Sequence, residues 1–179
     1  MFTTLYAPPP IAPCVIALVV AAASTDLQCR RIPNILVAVG LVGALFTQCW
    51  LHEFPAGALA WLTGALVGLG LFLPLYLLRG MAAGDVKLLA MVGAWIGPPL
   101  VFYVALATCV IGGVWALALA ARRGQVSKLF SATMFVLIHP TSRSVNPAPA
   151  ESMGTMPYGV AIAAGTIAVL VGTAAQLEI

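Results

Sequence analysis

Charge is what this chain is short of. Only 7% of its 179 residues are charged and 62% are hydrophobic, whereas a soluble domain carries roughly 25% charged residues. Too few charges exist to coat a water-exposed surface, and no polar stretch is long enough to form a second, soluble domain. Residues 1–179 therefore read as one membrane-embedded domain. The eight Lys and Arg give a net charge of +3 but form no basic run and no basic helical face, which excludes nucleic acid as a partner. The four cysteines, Cys14, Cys29, Cys49 and Cys109, show no Cys-x-x-Cys spacing and have no histidine at ligand spacing. A zinc or redox centre is excluded on that pattern, and the cysteines read as small apolar residues within helices. No motif calls for a metal or cofactor. No basic segment precedes the first apolar run, which reads as a span rather than a cleavable signal peptide.

What is present is a series of apolar runs near the length of about 20 residues that a spanning helix needs. They lie at about 5–25, 32–50, 57–78, 100–121 and 158–175, with a shorter one at 86–96 that stops at Gly97-Pro98-Pro99. The fold class expected is all-α, a polytopic membrane protein of about six transmembrane helices. Segment 129–138 is apolar but too short to span, so it is expected at the cytoplasmic interface, lying flat or re-entrant. Residues 139–156, rich in Pro, Ser and Asn, read as a cytoplasmic loop. When the loop holding Arg30 and Arg31 is placed in the cytoplasm, Arg79, Lys87, Arg122, Arg123, Lys128 and Arg143 fall on the same side. The opposite loops, at His52-Glu53 and Gly97-Pro98-Pro99, hold no Lys or Arg. This is a positive-inside pattern with the N-terminus outside. Gly64, Gly68 and Gly70 are candidates for close helix packing, and Trp50, Trp61 and Trp95 for anchors at the outer interface.

Carboxylates number only five: Asp26, Glu53, Asp85, Glu151 and Glu178. The three glutamates fall in loops or the tail, where solvation accounts for them. The two aspartates are expected at one membrane face, Asp26 just after the first span and Asp85 just before the fourth. Gly84 beside Asp85 offers close backbone approach and unusual dihedrals, and the N-terminal dipole of the fourth helix favours an anion there. Pro33 lies near the first position of the second helix. Read from position alone, each aspartate is equally a helix cap, a partner for a nearby Arg or Lys, or a member of a catalytic pair. Two carboxyls close together in a poorly hydrated site cannot both ionise cheaply, so they share one proton. That arrangement suits general acid–base hydrolysis of a peptide bond. No Gly-x-Ser-x-Gly or His-Glu-x-x-His competes, and His52 and His139 are expected on opposite sides of the membrane. Lys87 reads as a partner for an ionised Asp85, a lipid-phosphate ligand or a snorkelling side chain. Arg30 and Arg31 read as topology signals with a role in substrate approach open.

Three stretches carry a family resemblance. Asp26-Leu27-Gln28-Cys29-Arg30-Arg31-Ile32-Pro33-Asn34 resembles the first aspartate motif of the type IV prepilin peptidases. Gly84-Asp85-Val86-Lys87-Leu88-Leu89-Ala90 resembles their Gly-x-Gly-Asp motif, and Met156-Pro157-Tyr158-Gly159 resembles the Pro-Tyr-Gly that opens their final helix. The resemblance implies a membrane aspartyl endopeptidase with Asp26 and Asp85 as the catalytic pair. Gly84, Lys87, Pro33, Asn34, Pro157, Tyr158 and Gly159 would support them. It further implies type IV prepilins and prepilin-like proteins as substrates, cut at the cytoplasmic face of a bacterial inner membrane. Two departures stand out. Ala82 replaces the first Gly of the second motif, and the cytoplasmic insertion with paired Cys-x-x-Cys motifs that long members carry is absent. The chain thus looks like the short, tight-adherence (Flp-type) form, and N-methylation of the product is in doubt. The alternatives are an ion- or proton-coupled transporter, with the aspartates as ion sites, and a non-catalytic pilus or secretion assembly subunit.

Overall fold

The structure, a computed structural model, describes residues 11–78, 80–122 and 158–175. The first predicted span before residue 11, segment 129–138, the loop at 139–156, Arg79 and Pro157 lie outside the described residues. The described chain forms five helices and no strand: α1 (Ile11–Cys29), α2 (Asn34–His52), α3 (Ala56–Leu77), α4 (Ala83–Arg122) and α5 (Tyr158–Ala175). Each is long and apolar enough to cross a membrane. Their outward faces are apolar, with Leu27, Ile35, Phe46, Trp50 and Leu59 all largely exposed. Such a continuous apolar surface is a liability in water and the ordinary outer surface of a protein in lipid. The core is built around α4, which packs on α2, α3 and α5, while α1 lies mainly along α5.

α1 runs further than its hydropathy predicts and carries Asp26 into its last turn, rather than leaving it beyond the helix. Nothing in Thr25-Asp26-Leu27-Gln28 breaks a helix. The Arg30 N–H donates to the Asp26 carbonyl at 2.9 Å, and Arg30 then turns left-handed at φ 52°, the usual way an α-helix is closed. Pro33 follows in extended geometry as the N-cap of α2, where its missing N–H removes no helical bond.

The predicted fourth and fifth spans follow each other directly within α4 as two limbs that meet at Gly97. Gly97-Pro98-Pro99 breaks the rod without interposing a loop. Gly97 takes φ 80° and ψ 172°, a region essentially reserved for glycine. The break is a reversal: a Cβ placed on Gly93 would lie 3.2 Å from Cγ2 of Val101, whereas residues eight apart in a straight helix are separated by about 12 Å along the axis. Pro98 and Pro99 also supply no N–H for the carbonyls four residues earlier, those of Ala94 and Trp95. Buried Gln48 on α2 fills that gap. Its Nε2 donates to the Ala94 carbonyl at 3.3 Å and to the Trp95 carbonyl at 2.8 Å. In hydrocarbon, where no water is at hand, such orphaned carbonyls need a protein donor.

α3 and α4 touch backbone to backbone. A Cβ on Gly64 would run into the Gly93 carbonyl, one on Gly93 would run into the Gly64 carbonyl, and one on Gly68 would meet the backbone of Leu89 and Ala90. Gly64 and Gly68 therefore serve the close packing expected of them. Gly70 does not, since nothing lies within 4 Å of its missing Cβ. Of the tryptophans expected at the outer interface, only Trp50 is freely exposed. Trp61 donates Nε1–H to the Leu41 carbonyl at 2.9 Å, and buried Trp95 donates to the Gly40 carbonyl at 2.9 Å. Both act as inter-helix ties, because a buried indole N–H takes a partner where it finds one.

Candidate active site

Five polar or charged side chains are buried among the described residues: Asp26, Gln48, Asp85, Thr108 and Thr166. The threonines bond back to carbonyls one turn earlier in their own helices, Thr108 to Val104 and Thr166 to Ile162, both at 2.7 Å. Gln48 repairs the break in α4. The two aspartates remain, 8% and 4% exposed respectively. Taking a carboxylate out of water costs several kcal/mol unless it is compensated, so both need an explanation.

Each acid is held by a helix N-terminus, where N–H groups lack intrahelical partners and the dipole favours an anion. Asp85 sits in the first turn of α4, and its Oδ2 accepts the Ala82 N–H at 3.2 Å while its own N–H donates to the Ala82 carbonyl at 3.1 Å. The first of these bonds is half of a capping box, and the second closes a backbone turn. Asp26 is held from a different helix: its Oδ2 accepts the N–H of Gly159, at the head of α5, at 2.9 Å. That bond joins residues 133 positions apart. The two acids thus meet at one end of the bundle, within electrostatic reach of each other. Tyr158, half-buried beside Gly159, lies within electrostatic reach of Asp85 and has its ring against Gly112.

The remaining site residues predicted from the sequence are placed as follows. Gly84 is helical, and an added Cβ would meet Ile32 at an ordinary 3.4 Å. The unusual dihedrals expected of it are not used, because α4 has already begun at Ala83. Lys87 is exposed and donates from Nζ to Oδ1 of Asn34 at 3.2 Å, which ties the first turns of α4 and α2 together. Pro33 caps α2 from outside the acid pair, and Pro157 lies outside the described residues. What sequence reasoning missed is the direct contact of Gly159 with Asp26. A Cβ on Gly159 would lie 2.8 Å from Oδ2 and 3.1 Å from Cβ of Asp26. The glycine at the head of an apolar helix is the one local signal of it.

Fold and site together define a class: a multi-pass helical membrane protein with two buried carboxylates gathered at one end of its bundle. The chain belongs to the type IV leader peptidase family, whose profile matches residues 14–117. Both aspartates lie within the match and α5 lies beyond it. Comparison with curated proteins and with solved structures finds no match. Membership implies peptidase activity on protein substrates such as prepilins.

Proposed function

We propose that the chain is an aspartyl endopeptidase that removes the leader peptide of type IV (Flp-type) prepilins and prepilin-like proteins at the cytoplasmic face of the bacterial inner membrane. Asp26 and Asp85 are the catalytic pair. The observation that supports this reading best is the burial of the chain's only two aspartates at one end of the bundle, within electrostatic reach of each other and held by α1, α4 and α5. One carboxyl is ionised and removes a proton from a water molecule, whose oxygen attacks the scissile peptide carbonyl. The other carboxyl is protonated and donates to the carbonyl oxygen. Collapse of the tetrahedral intermediate breaks the C–N bond: the first carboxyl passes the proton taken from water to the leaving amine, and the second recovers its proton from the hydroxyl as the C=O re-forms, so the pair returns to its starting state. The two limbs of α4 cross separately, making six crossings with the N-terminus outside. Arg30, Arg31 and Lys87 then share the cytoplasmic side with both acids, the edge at which the leader of a prepilin would meet the membrane.

A second reading has its own support. Both aspartates cap helix N-termini, which is what a non-catalytic assembly subunit would use them for. Co-expression with a short Flp-type prepilin separates the two. Leader loss, followed by gel shift and mass, is expected in wild type. It should fall by about 10²-fold or more in Asp26→Asn and Asp85→Asn at matched membrane levels, the scale of a lost general acid or base. Cleavage that survives either substitution sinks the two-acid mechanism. A wild type that cuts no prepilin moves the assembly and transporter readings to the front.

A further inference from the structure

We infer that Gly159 is the positioning residue for Asp26, and that α5, which carries neither acid, sets the placement of one of them. Two independent features of the same residue support this. The Gly159 N–H is the bond that holds Oδ2 of Asp26, at 2.9 Å. The bare Cα of Gly159 leaves the space in which the carboxyl sits, since an added Cβ would fall 2.8 Å from Oδ2, 3.1 Å from Cβ and 3.2 Å from Cγ. All three atoms belong to the buried acid, so relief displaces Asp26 relative to the head of α5. Asp26 is in the last turn of α1, its backbone fixed by the bond from Arg30. The carboxyl then rotates or the head of α5 shifts off it, and either change alters the placement of the acid relative to Asp85. Any residue but proline at 159 would keep the N–H, but only glycine keeps both the N–H and the space.

The geometry also distinguishes positioning from packing. Gly165, further along the same helix, is as crowded: a Cβ there would lie 2.7 Å from Oγ1 of Thr108. Gly165→Ala therefore imposes a similar clash on α5 without touching an acid. The kinetic half of the inference rests on the peptidase reading above, and the spectroscopic half stands without it.

The full-length protein, labelled with ¹⁵N-glycine and held in lipid nanodiscs, would be titrated through the acid range. The Gly159 amide resonance is identified by its absence in Gly159→Ala, or by selective labelling of the Tyr158–Gly159 pair if that variant does not fold. The resonance is expected to move with pH in wild type and to lose that movement in Asp26→Asn. Unaltered movement in Asp26→Asn overturns the inference. In the cleavage assay, Gly159→Ala is expected to lower kcat by about 10²-fold with KM unchanged, the cost of misplacing a reacting group by about 1 Å. Gly165→Ala is expected to lower thermal stability while keeping kcat per folded molecule near wild type. A folded Gly159→Ala with wild-type kcat overturns the inference as well. If wild type cuts no prepilin, the peptidase reading fails, and the resonance alone decides whether Gly159 holds Asp26.

Discussion

Asp85 caps a helix and, in the proposed mechanism, also transfers a proton, and the two roles separate by substitution. Its Oδ2 caps α4 through the Ala82 N–H, a task an amide oxygen performs equally well, whereas proton transfer needs the acid. Asp85→Asn is therefore expected to unfold near the wild-type midpoint in detergent, while Asp85→Ala loses about 1 kcal/mol with the cap. Both are expected to lose cleavage. An Asp85→Asn variant as unstable as Asp85→Ala would show that charge, and not the hydrogen bond, supports the helix end. At this scale the sequence was informative about the acids because carboxylates are so scarce in it. It singled out Gly159 through its motif but not its contact with Asp26, because a hydrogen bond across 133 positions leaves no local pattern. It misled about Gly84, whose conformational freedom goes unused once Ala83 has opened the helix.

At the scale of the element, α4 depends on two repairs to one break. Gly97 lies where a Cβ is strained, so Gly97→Ala is expected to cost about 1–3 kcal/mol. Gln48→Leu strips the donor from two buried carbonyls and is expected to cost about 1–3 kcal/mol. Thermal unfolding or steric trapping in micelles measures both, and a Gln48→Leu protein as stable as wild type would mean that other groups satisfy Ala94 and Trp95. The α3–α4 contact gives a coupling test. Gly64→Ala and Gly93→Ala push the same two backbones apart, so the double variant is expected to cost less than the two single losses together. Full additivity would place the clashes in separate contacts. Helix positions were legible here because apolar runs bounded by Arg-Arg, Glu-Phe-Pro and Gly-Pro-Pro admit few other partitions. The reversal at Gly97 and its donor on α2 were not. A Gly-Pro-Pro run says that a helix is interrupted, and says nothing about which neighbour replaces the missing N–H groups.

For the whole molecule, the proposed orientation can be read from native cysteines. Cys29 is exposed at the acid end of α1, and Cys49 lies near the far end of α2. In a variant keeping Cys29 alone, a membrane-impermeant maleimide is expected to label inside-out vesicles and spare intact cells. The opposite result would invert the topology and remove the site from the cytoplasmic face. Membrane embedding was plain from composition, with only 7% charge, and the helical class from apolar runs near 20 residues long. The bond between Asp26 and Gly159 has a consequence for the life of the protein. Ribosomes add about 5–20 residues each second, so the glycine that seats Asp26 follows it out on the order of ten seconds later. Through that interval the nascent chain holds an acid whose amide partner is still unmade. A truncated product ending after α4 carries both aspartates and lacks the seat of one. Synthesis of α5 is thus the step that gives Asp26 its hydrogen-bond partner.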